Sequence, residues 1–336
     1  MGTYPSHNDK SHVVGNIFSS GLAKVYEVRY DIVPLFILGI LCLTFTLLQP
    51  AFLSLYNGLT VITQLATLLI LATGMTLIIL AGRIDLSTGG VVSFCSVAVA
   101  LLFPRFGLWA FVIGIIIGTA FGLLNGAVHQ YCRIASFIST FGVGGIALGL
   151  AYTICAGQPI AVPAECFSYR MFIIGKSIYG LGNIHFMAIG ITALGYFLLR
   201  YTPVGRYIYA IGYQEKVAKL SGVPITKYVI LIFTFYGMCA GLAGGLLTSR
   251  LAIGGPAVGD SFTLLTIAAV VVGGTALTGG SGGIFRTIVG STIITVLMNG
   301  MNIAAINPYA RQVVLGIAII VVVAFTLDRS KILVVK

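Results

Sequence analysis

The chain has few carboxylate side chains that could carry a proton or a cation through a membrane. Only eight carboxylates occur in 336 residues, and Asp85 alone adjoins long apolar segments on both sides. A carrier driven by a proton or sodium gradient commonly needs carboxylates inside its helices. Their scarcity argues against ion coupling and for another source of energy. Of the other carboxylates, Asp31 stands at the start of the first apolar segment, and the rest lie in tails or connections: Asp9, Glu27, Glu165, Glu215, Asp260 and Asp328.

The patterns of catalysis and metal binding are also missing. The sequence contains neither a GxxxxGK[ST] phosphate loop nor an HExxH motif. Its histidines lack a second ligand at metal spacing. Ser281, in GGSGG (279–283), has no nearby acid or histidine, which is typical of a flexible turn. We therefore predict no catalytic residue, no metal and no cofactor held by this chain.

The most unusual stretch is AGRIDLSTGG (81–90), which sets an arginine and an aspartate between two apolar segments. Asp85 could accept hydrogen bonds from N–H groups where the next helix begins, and Ser87 or Thr88 could cap that start. Arg83 is close enough in sequence to pair with Asp85, which would lower the cost of burying either. We expect a structural joint, with ligand contact or transmission of motion as alternatives.

The composition indicates what positions these residues. The chain is 58% hydrophobic and 8% charged, with a mean hydropathy of +1.06, whereas a soluble domain carries about 25% charged residues. This composition predicts an integral membrane protein. The net charge of +11 is spread between apolar segments, so it indicates membrane topology rather than nucleic-acid binding.

A bilayer-spanning helix needs about 20 apolar residues. The sequence predicts an all-α fold with about ten transmembrane helices. The eighth segment is short and ends in glycine pairs, which is typical of a broken or re-entrant element. The segments are 31–49, 57–80, 86–104, 108–129, 134–155, 184–200, 228–248, 261–277, 284–304 and 309–327.

The basic residues predict the orientation. With both ends inside, 14 of the 19 lysines and arginines fall in cytoplasmic stretches and 5 outside, which agrees with the positive-inside rule. We therefore predict cytoplasmic tails at 1–30 and 328–336 and a membrane domain at 31–327. Within it, 154–183 is an outer loop and 200–227 an inner one.

Two glycine patterns stand out. GMTLIILAGRIDLSTGGVV (74–92) and AAVVVGGTALTGGSGGI (268–284) both run from an apolar helix into a TGG break. They suggest two pseudo-repeated halves with a substrate path between them, although coincidence is the alternative. Glycines at helical spacing predict close helix packing; they lie in 114–118, 118–122, 142–149 and 241–245.

The inner loop contains a predicted short helix, YQEKVAKLSG (213–222). Val217 and Leu220 share one face of it, between Lys216 and Lys219. Such a helix could dock a soluble partner or bind anionic headgroups at the membrane surface. The residue pattern alone leaves both interpretations open.

Four ordered blocks carry a family resemblance over roughly residues 55–325: GMTLIILAGRIDLSTGG, GRYIYAIG…AKLSGV, IAAVVVGGTALTGGSGG and MNGMNI. The chain resembles the permease subunits of ribose-type sugar ABC importers in bacteria. The resemblance implies a paired inner-membrane permease, a cytoplasmic ATPase that binds ATP and Mg²⁺, and a periplasmic solute-binding protein. It also favours docking of the ATPase on the inner loop, through Gly205, Arg206, Ala210, Gly212, Glu215, Leu220, Ser221 and Gly222.

The sequence departs from the family pattern in four places. Arg83 replaces the second glycine of GGIDLS, and Leu148 stands where an Arg-Gly pair commonly begins. Thr263-Leu264-Leu265 replaces Glu-Leu-Asp, and 212–218 reads GYQEKVA instead of GGNEEAA. These departures are compatible with an unusual sugar-like ligand or with a heterodimer of two different permease chains.

A neutral polar ligand would need hydroxyl and amide partners along its path. The predicted path residues are Thr76, Asp85, Ser87, Asn125, Phe137, Thr140 and Asn299, with Thr88, Ser93 and Phe141 as further candidates. The alternative for such residues is hydrogen bonding between helices. A stand-alone polyol channel would need no docking loop, and a receptor or assembly protein would need no glycine-rich breaks.

Overall fold

The computed structural model describes residues 33–178 and 180–326, so the predicted tails lie outside the described residues. Helices occupy every predicted apolar segment. In chain order they are α1 (Val33–Leu48), α2 (Leu55–Leu80), α3 (Thr88–Phe106), α4 (Leu108–Tyr131), α5 (Ser136–Cys155), α6 (Phe167–Ile174), α7 (Asn183–Tyr201), α8 (Pro203–Leu220), α9 (Ile225–Leu251), α10 (Phe262–Val272), α11 (Ile284–Ile303) and α12 (Pro308–Thr326).

Seven helices of the described part are long and apolar enough to cross a membrane: α2, α3, α4, α5, α7, α9 and α11. Helices α1 and α10 are apolar but shorter. The predicted eighth segment indeed forms only the short helix α10, which ends at Val272 before Gly273 and Gly274. These helices bear out a multi-pass membrane fold, while the count of about ten spans stays a prediction.

Two very short antiparallel sheets lie in the connections. Strand β1 (Ile160–Ala161) pairs with β4 (Ile253–Gly254), and β2 (Lys176–Ile178) pairs with β3 (Leu181–Gly182). The connection predicted as the outer loop also contains α6.

Helices α2 and α9 form the centre of the bundle. Of the most apolar 18-residue stretch of each helix, 72% of the residues are buried in α2 and 78% in α9, but only 33% in α4, α5 and α7. The outer helices therefore present much of their apolar surface outward, as expected where lipid rather than water surrounds the protein.

Helices α4 and α9 touch through glycines. A Cβ added to Gly118 would lie 2.4 Å from the Gly237 carbonyl oxygen, and one added to Gly122 would lie 2.2 Å from the Phe233 oxygen. The prediction of close packing is thus confirmed for the α4 and α9 glycines. Within 142–149 it holds for Gly144, whose carbonyl oxygen would lie 2.1 Å from a Cβ added to Gly90, and is wrong for Gly142, Gly145 and Gly149, which have no atom within 4 Å of an added Cβ.

The inner loop is more helical than predicted. Helix α8 begins at Pro203, ten residues before the predicted start at Tyr213, and Gln214 interrupts it with φ −158° and ψ 95°. Thr202 caps it by accepting a hydrogen bond from the Val204 N–H, and a proline suits the first helical position because its missing N–H needs no partner there. The segment is a kinked helix that leads into α9.

Candidate functional site

The break between α2 and α3 is held by the first turns of α5. After Leu80 the chain turns at Gly82, whose φ of +69° favours glycine. The N–H of Ile84 then donates to Ser136 Oγ (3.2 Å), and the N–H of Leu86 donates to Thr140 Oγ1 (2.9 Å). Residues 81–87 are therefore an ordered joint whose backbone polar groups find partners on a neighbouring helix.

Asp85 lies at the centre of this joint, with 1% of its surface exposed. Its Oδ1 accepts hydrogen bonds from the Ser87 N–H (2.7 Å) and hydroxyl (2.6 Å). The Asn125 amide nitrogen, on α4, lies 3.3 Å from Asp85 Oδ2 and 2.8 Å from Ser87 Oγ. The predicted hydrogen bond from a backbone N–H to Asp85 is confirmed, and the carboxylate ties the start of α3 to α4.

The predicted side-chain caps of α3 are wrong. Ser87 occupies the N-cap position without a side-chain cap bond, because its hydroxyl donates to Asp85 instead. The hydroxyl of Thr88 is hydrogen-bonded to the Tyr236 hydroxyl on α9. Both side chains link α3 to other parts of the structure rather than to its own first turn.

Burial raises the pKa of Asp85 to about 6, and the two hydrogen bonds from Ser87 oppose this shift. Next to the carboxylate, the buried Oδ1 of Asn125 has no hydrogen-bond partner among the described residues. A protonated Asp85 would add a donor to this group, and the joint takes up this proton as the pH falls through about 6.

The predicted pairing of Arg83 with Asp85 is wrong. Arg83 Nη2 lies 2.7 Å from Glu215 Oε2 on α8, and its Nε donates to His129 Nε2 (2.9 Å). Because arginine can only donate, His129 carries its proton on Nδ1, which lies 2.6 Å from the Ile134 carbonyl oxygen. Asp85 is already satisfied in a buried site, whereas Arg83 lies near the surface, where Glu215 can reach it.

Three glycine segments meet beside this ion pair. The N–H of Gly280 donates to the Leu80 carbonyl (2.9 Å). A Cβ on Gly212 would lie 1.8 Å from that carbonyl oxygen and 2.6 Å from Gly280 N, and one on Gly279 would lie 2.7 Å from Gly82 N. We call these residues, Gly82, Gly212, Gly279 and Gly280, the glycine junction; it brings the turn after α2 and the turn 279–280 against α8.

The other residues of the predicted coupling segment divide into two groups. Gly205 is buried, and a Cβ there would lie 1.9 Å from the Leu199 carbonyl oxygen. By contrast, Leu220 is 88% exposed. Arg206, Ala210, Ser221 and Gly222 are also exposed. Helix α8 therefore packs on the bundle through Gly205 and Gly212, and most of its second half is exposed together with Arg206 and Ala210.

The structure brings four of the predicted path residues together: Asp85, Ser87, Asn125 and Thr140 surround the α2–α3 joint. Thr76 and Asn299 lie outside this group, and Thr76 Oγ1 lies 2.6 Å from Thr287 Oγ1 instead. Ser93 accepts from the Gly259 N–H (2.9 Å). Phe137 and Phe141 lie 52% and 72% exposed on α5.

Thr263, one of the departures from the family pattern, forms a hydrogen bond between helices. The Thr263 hydroxyl accepts a hydrogen bond from the Gly89 N–H (2.8 Å), so α10 is tied to the first turn of α3. Tyr236, Thr287 and His129 were not predicted as partners. Their roles depend on helix contacts between distant segments, for which the sequence carried no signal.

The helices and the connected breaks define a multi-pass membrane protein with an ordered joint between helices. A family model described as "branched-chain amino acid transport system / permease component" matches residues 57–323. The chain therefore belongs to this family of ABC-importer permeases, which bears out the resemblance seen in the sequence.

Several relatives are named as sugar permeases. The ribose import permease of Bacillus subtilis is 36% identical, covering 88% of this chain and 91% of the relative. The D-allose transport system permease of Escherichia coli is 31% identical, with 88% and 90% covered. The fructose import permease of Rhizobium meliloti is 30% identical, with 87% and 84% covered. A comparison with solved structures gives no match.

Proposed function

We propose that this chain is the permease subunit of a bacterial ABC importer that carries a sugar or a sugar-like polar solute inward across the inner membrane. ATP, with Mg²⁺, is bound and hydrolysed by a separate cytoplasmic subunit, and a periplasmic binding protein delivers the solute. The names of the relatives, which include ribose, allose and fructose permeases, support this substrate class. The chain itself holds no cofactor in this proposal.

The observation that carries the proposal is the position of α8. Its glycine junction lies against both breaks of the bundle, while Tyr213 and Leu220 are 81% and 88% exposed. Large exposed apolar side chains on a short polar-rich segment fit a docking surface for a protein partner. Movement of a docked ATPase would reach both breaks directly through the junction.

The proposed translocation path follows the exposed side of α5. Gly142, Gly145 and Gly149 lie on this side with open space around them, and Phe137 and Phe141 are exposed on the same helix. A second permease copy facing this side would enclose a path between the two chains. The hydroxyl and amide groups around Asp85 stand behind this surface, where a neutral polyhydroxyl solute could exchange hydrogen bonds.

The topology belongs to the same proposal. About ten helices in two related halves (31–327) would place the tails 1–30 and 328–336 in the cytoplasm, together with the coupling segment 200–227. The outer connection 154–183 would then face the binding protein.

The docking surface can be tested by Leu220→Ser. We expect the variant to insert and fold normally but to lose most ATPase retention during co-purification and most solute uptake. Leu55→Ser is the matched control, since Leu55 is 82% exposed at the end of α2 away from α8. Equal ATPase retention by both variants would contradict the docking assignment. Uphill sugar transport by this chain alone in vesicles would contradict the ABC mechanism.

A further inference from the structure

His129 holds the guanidinium of Arg83 at the end of α4. Its Nε2 accepts a hydrogen bond from Arg83 Nε–H (2.9 Å), and its Nδ1 lies 2.6 Å from the Ile134 carbonyl oxygen, in the connection to α5. An arginine is always protonated and can only donate. The two contacts therefore require a neutral imidazole that carries its proton on Nδ1.

The imidazole is itself held by its surroundings. The hydrogen bond to Ile134 ties it to the turn that follows α4. On α9, the Phe233 ring packs against it, with ring centroids 5.9 Å apart. Helices α4 and α9 are close at this level, because a Cβ added to Gly126 would lie 2.8 Å from the Ile230 Cα. His129 is therefore a fixed support for the arginine rather than a mobile surface group.

The bond at Nε decides where the rest of the Arg83 guanidinium points. The guanidinium is planar, so a bond at Nε restrains the plane that also contains Nη2. Arg83 Nη2 lies 2.7 Å from Glu215 Oε2 on α8. Without the acceptor on His129, the long arginine side chain would regain rotamer freedom, which opposes the ion pair. The imidazole thus directs Arg83 towards α8.

Protonation of His129 would undo this arrangement. A charged imidazole has an N–H at both ring nitrogens and no acceptor, so Nε2–H would face Arg83 Nε–H and two cations would lie 2.9 Å apart. An ordinary histidine titrates at about pH 6.5. Among the described residues, the charged groups that act on the ring are Arg83 and Glu215, while α9 presents the uncharged Phe233 to it.

We propose that His129 is the positioning residue of the Arg83–Glu215 ion pair, and that its protonation in an acidified cytoplasm releases Arg83 and slows transport. Arg83 stands where the family pattern has a glycine, so a permease with that glycine lacks the guanidinium that His129 holds. The positioning of Arg83 follows from the contacts of the imidazole. The effect on transport rests on the proposed function, because it needs α8 to be the coupling helix.

The positioning is tested by NMR of the purified full chain in neutral detergent, with isotope-labelled histidine and arginine. The signals are assigned by their loss in His129→Gln and Arg83→Lys. We expect the Nδ1–H form of His129 at about pH 8, its protonation as the pH falls to about 5, and a shift of the Arg83 Nε–H signal with the same midpoint. An Nε2–H form at the higher pH, an imidazole that does not titrate, or an Arg83 signal that does not follow it would overturn the proposal.

The effect on transport is measured in cells whose cytoplasm is acidified from about pH 7.5 to about 6 at a constant outside pH, with labelled ribose, allose and fructose as probes. We expect uptake by the unmodified chain to fall several-fold. Glutamine can accept from Arg83 but cannot titrate, so His129→Gln should keep uptake at the higher pH and lose most of the acid response. His129→Leu offers no acceptor and should transport weakly at both pH values.

The matched control is His12→Gln, which removes a histidine from the predicted N-terminal tail and should leave the acid response unchanged. A response that persists in His129→Gln would overturn the proposal and assign the response to Asp85, whose pKa of about 6 lies in the same range. Full uptake by His129→Leu would also overturn it. If the unmodified chain takes up none of the three sugars, the proposed function fails, and the NMR measurement still decides whether His129 positions Arg83.

Discussion

The guanidinium of Arg83 lies 2.7 Å from the carboxylate of Glu215, and this ion pair joins the break after α2 to the kinked helix α8. The two residues are 132 positions apart in the chain. Arg83 also donates to His129 at the end of α4. One side chain therefore connects α4, the α2–α3 joint and the proposed coupling helix.

We expect Glu215→Gln to reduce solute uptake several-fold while leaving the fold intact. The side chains of Arg83 and Glu215 are 15% and 46% exposed, so loss of their attraction should cost only about 0.5 kcal/mol of stability. Uptake in cells and the unfolding midpoint of the purified chain measure the two effects. Glu165→Gln, at an exposed acid in the connection 154–183, controls for loss of charge, and the double exchange Arg83→Glu/Glu215→Arg should recover part of the uptake. Full uptake by Glu215→Gln would show that the pair plays no part in coupling.

Gly212→Ala should disturb the glycine junction. The added methyl group would lie 1.8 Å from the Leu80 carbonyl oxygen, and such overpacking typically costs about 1–3 kcal/mol. We expect a lower unfolding midpoint, a smaller folded yield and loss of uptake. Gly190→Ala in α7 is the control, since no atom lies within 4 Å of its added Cβ. If both variants unfold at the same temperature, Gly212 does not pack closely against the Leu80 carbonyl oxygen.

Asp85 should make stability depend on pH. Its pKa is about 6 in the folded chain against an ordinary 3.8, so the folded state binds the proton more tightly. This stabilisation is complete below pH 3.8 and is lost as the pH rises through about 6. The difference corresponds to about 3 kcal/mol.

The measurement compares unfolding midpoints of the unmodified chain and Asp85→Asn between pH 4 and pH 7. Asparagine cannot titrate, and it can offer a donor to the unpartnered Oδ1 of Asn125. We therefore expect Asp85→Asn to gain stability relative to the unmodified chain as the pH rises. A difference that stays constant over this range would mean that Asp85 does not titrate there.

The proposed orientation can be tested at Cys132, an exposed thiol just after α4. With the other cysteines replaced, a membrane-impermeant thiol reagent should label Cys132 in inside-out vesicles but not in intact spheroplasts. Ser168→Cys, placed at an exposed position of α6 in the outer connection in a chain without Cys132, should give the reverse pattern. Labelling of Cys132 from outside would reverse the topology.

Helix positions were predictable because a membrane demands long apolar segments, and these are visible without knowledge of contacts. The start of α8 was missed, although Thr202-Pro203 is a recognisable cap and first-turn pair. The partner of Arg83 was also missed, because nearness in sequence favoured Asp85, whereas folding brings Glu215 closer. The glycine junction was missed for the same reason: the turn 279–283 is shaped by Gly82 and Gly212 from distant segments.

The α4–α9 contact sets a limit on how this protein can change shape. Gly118 and Gly122 of α4 face Gly237 and Gly241 of α9 with room for hydrogen atoms only. If either helix slid along its axis, a side chain next to these glycines would collide with the backbone of the other helix. The two helices therefore pack in a single register and move as one rigid unit. If the bundle rocks during transport, we therefore expect the movement at the breaks 81–87 and 273–283 rather than between α4 and α9.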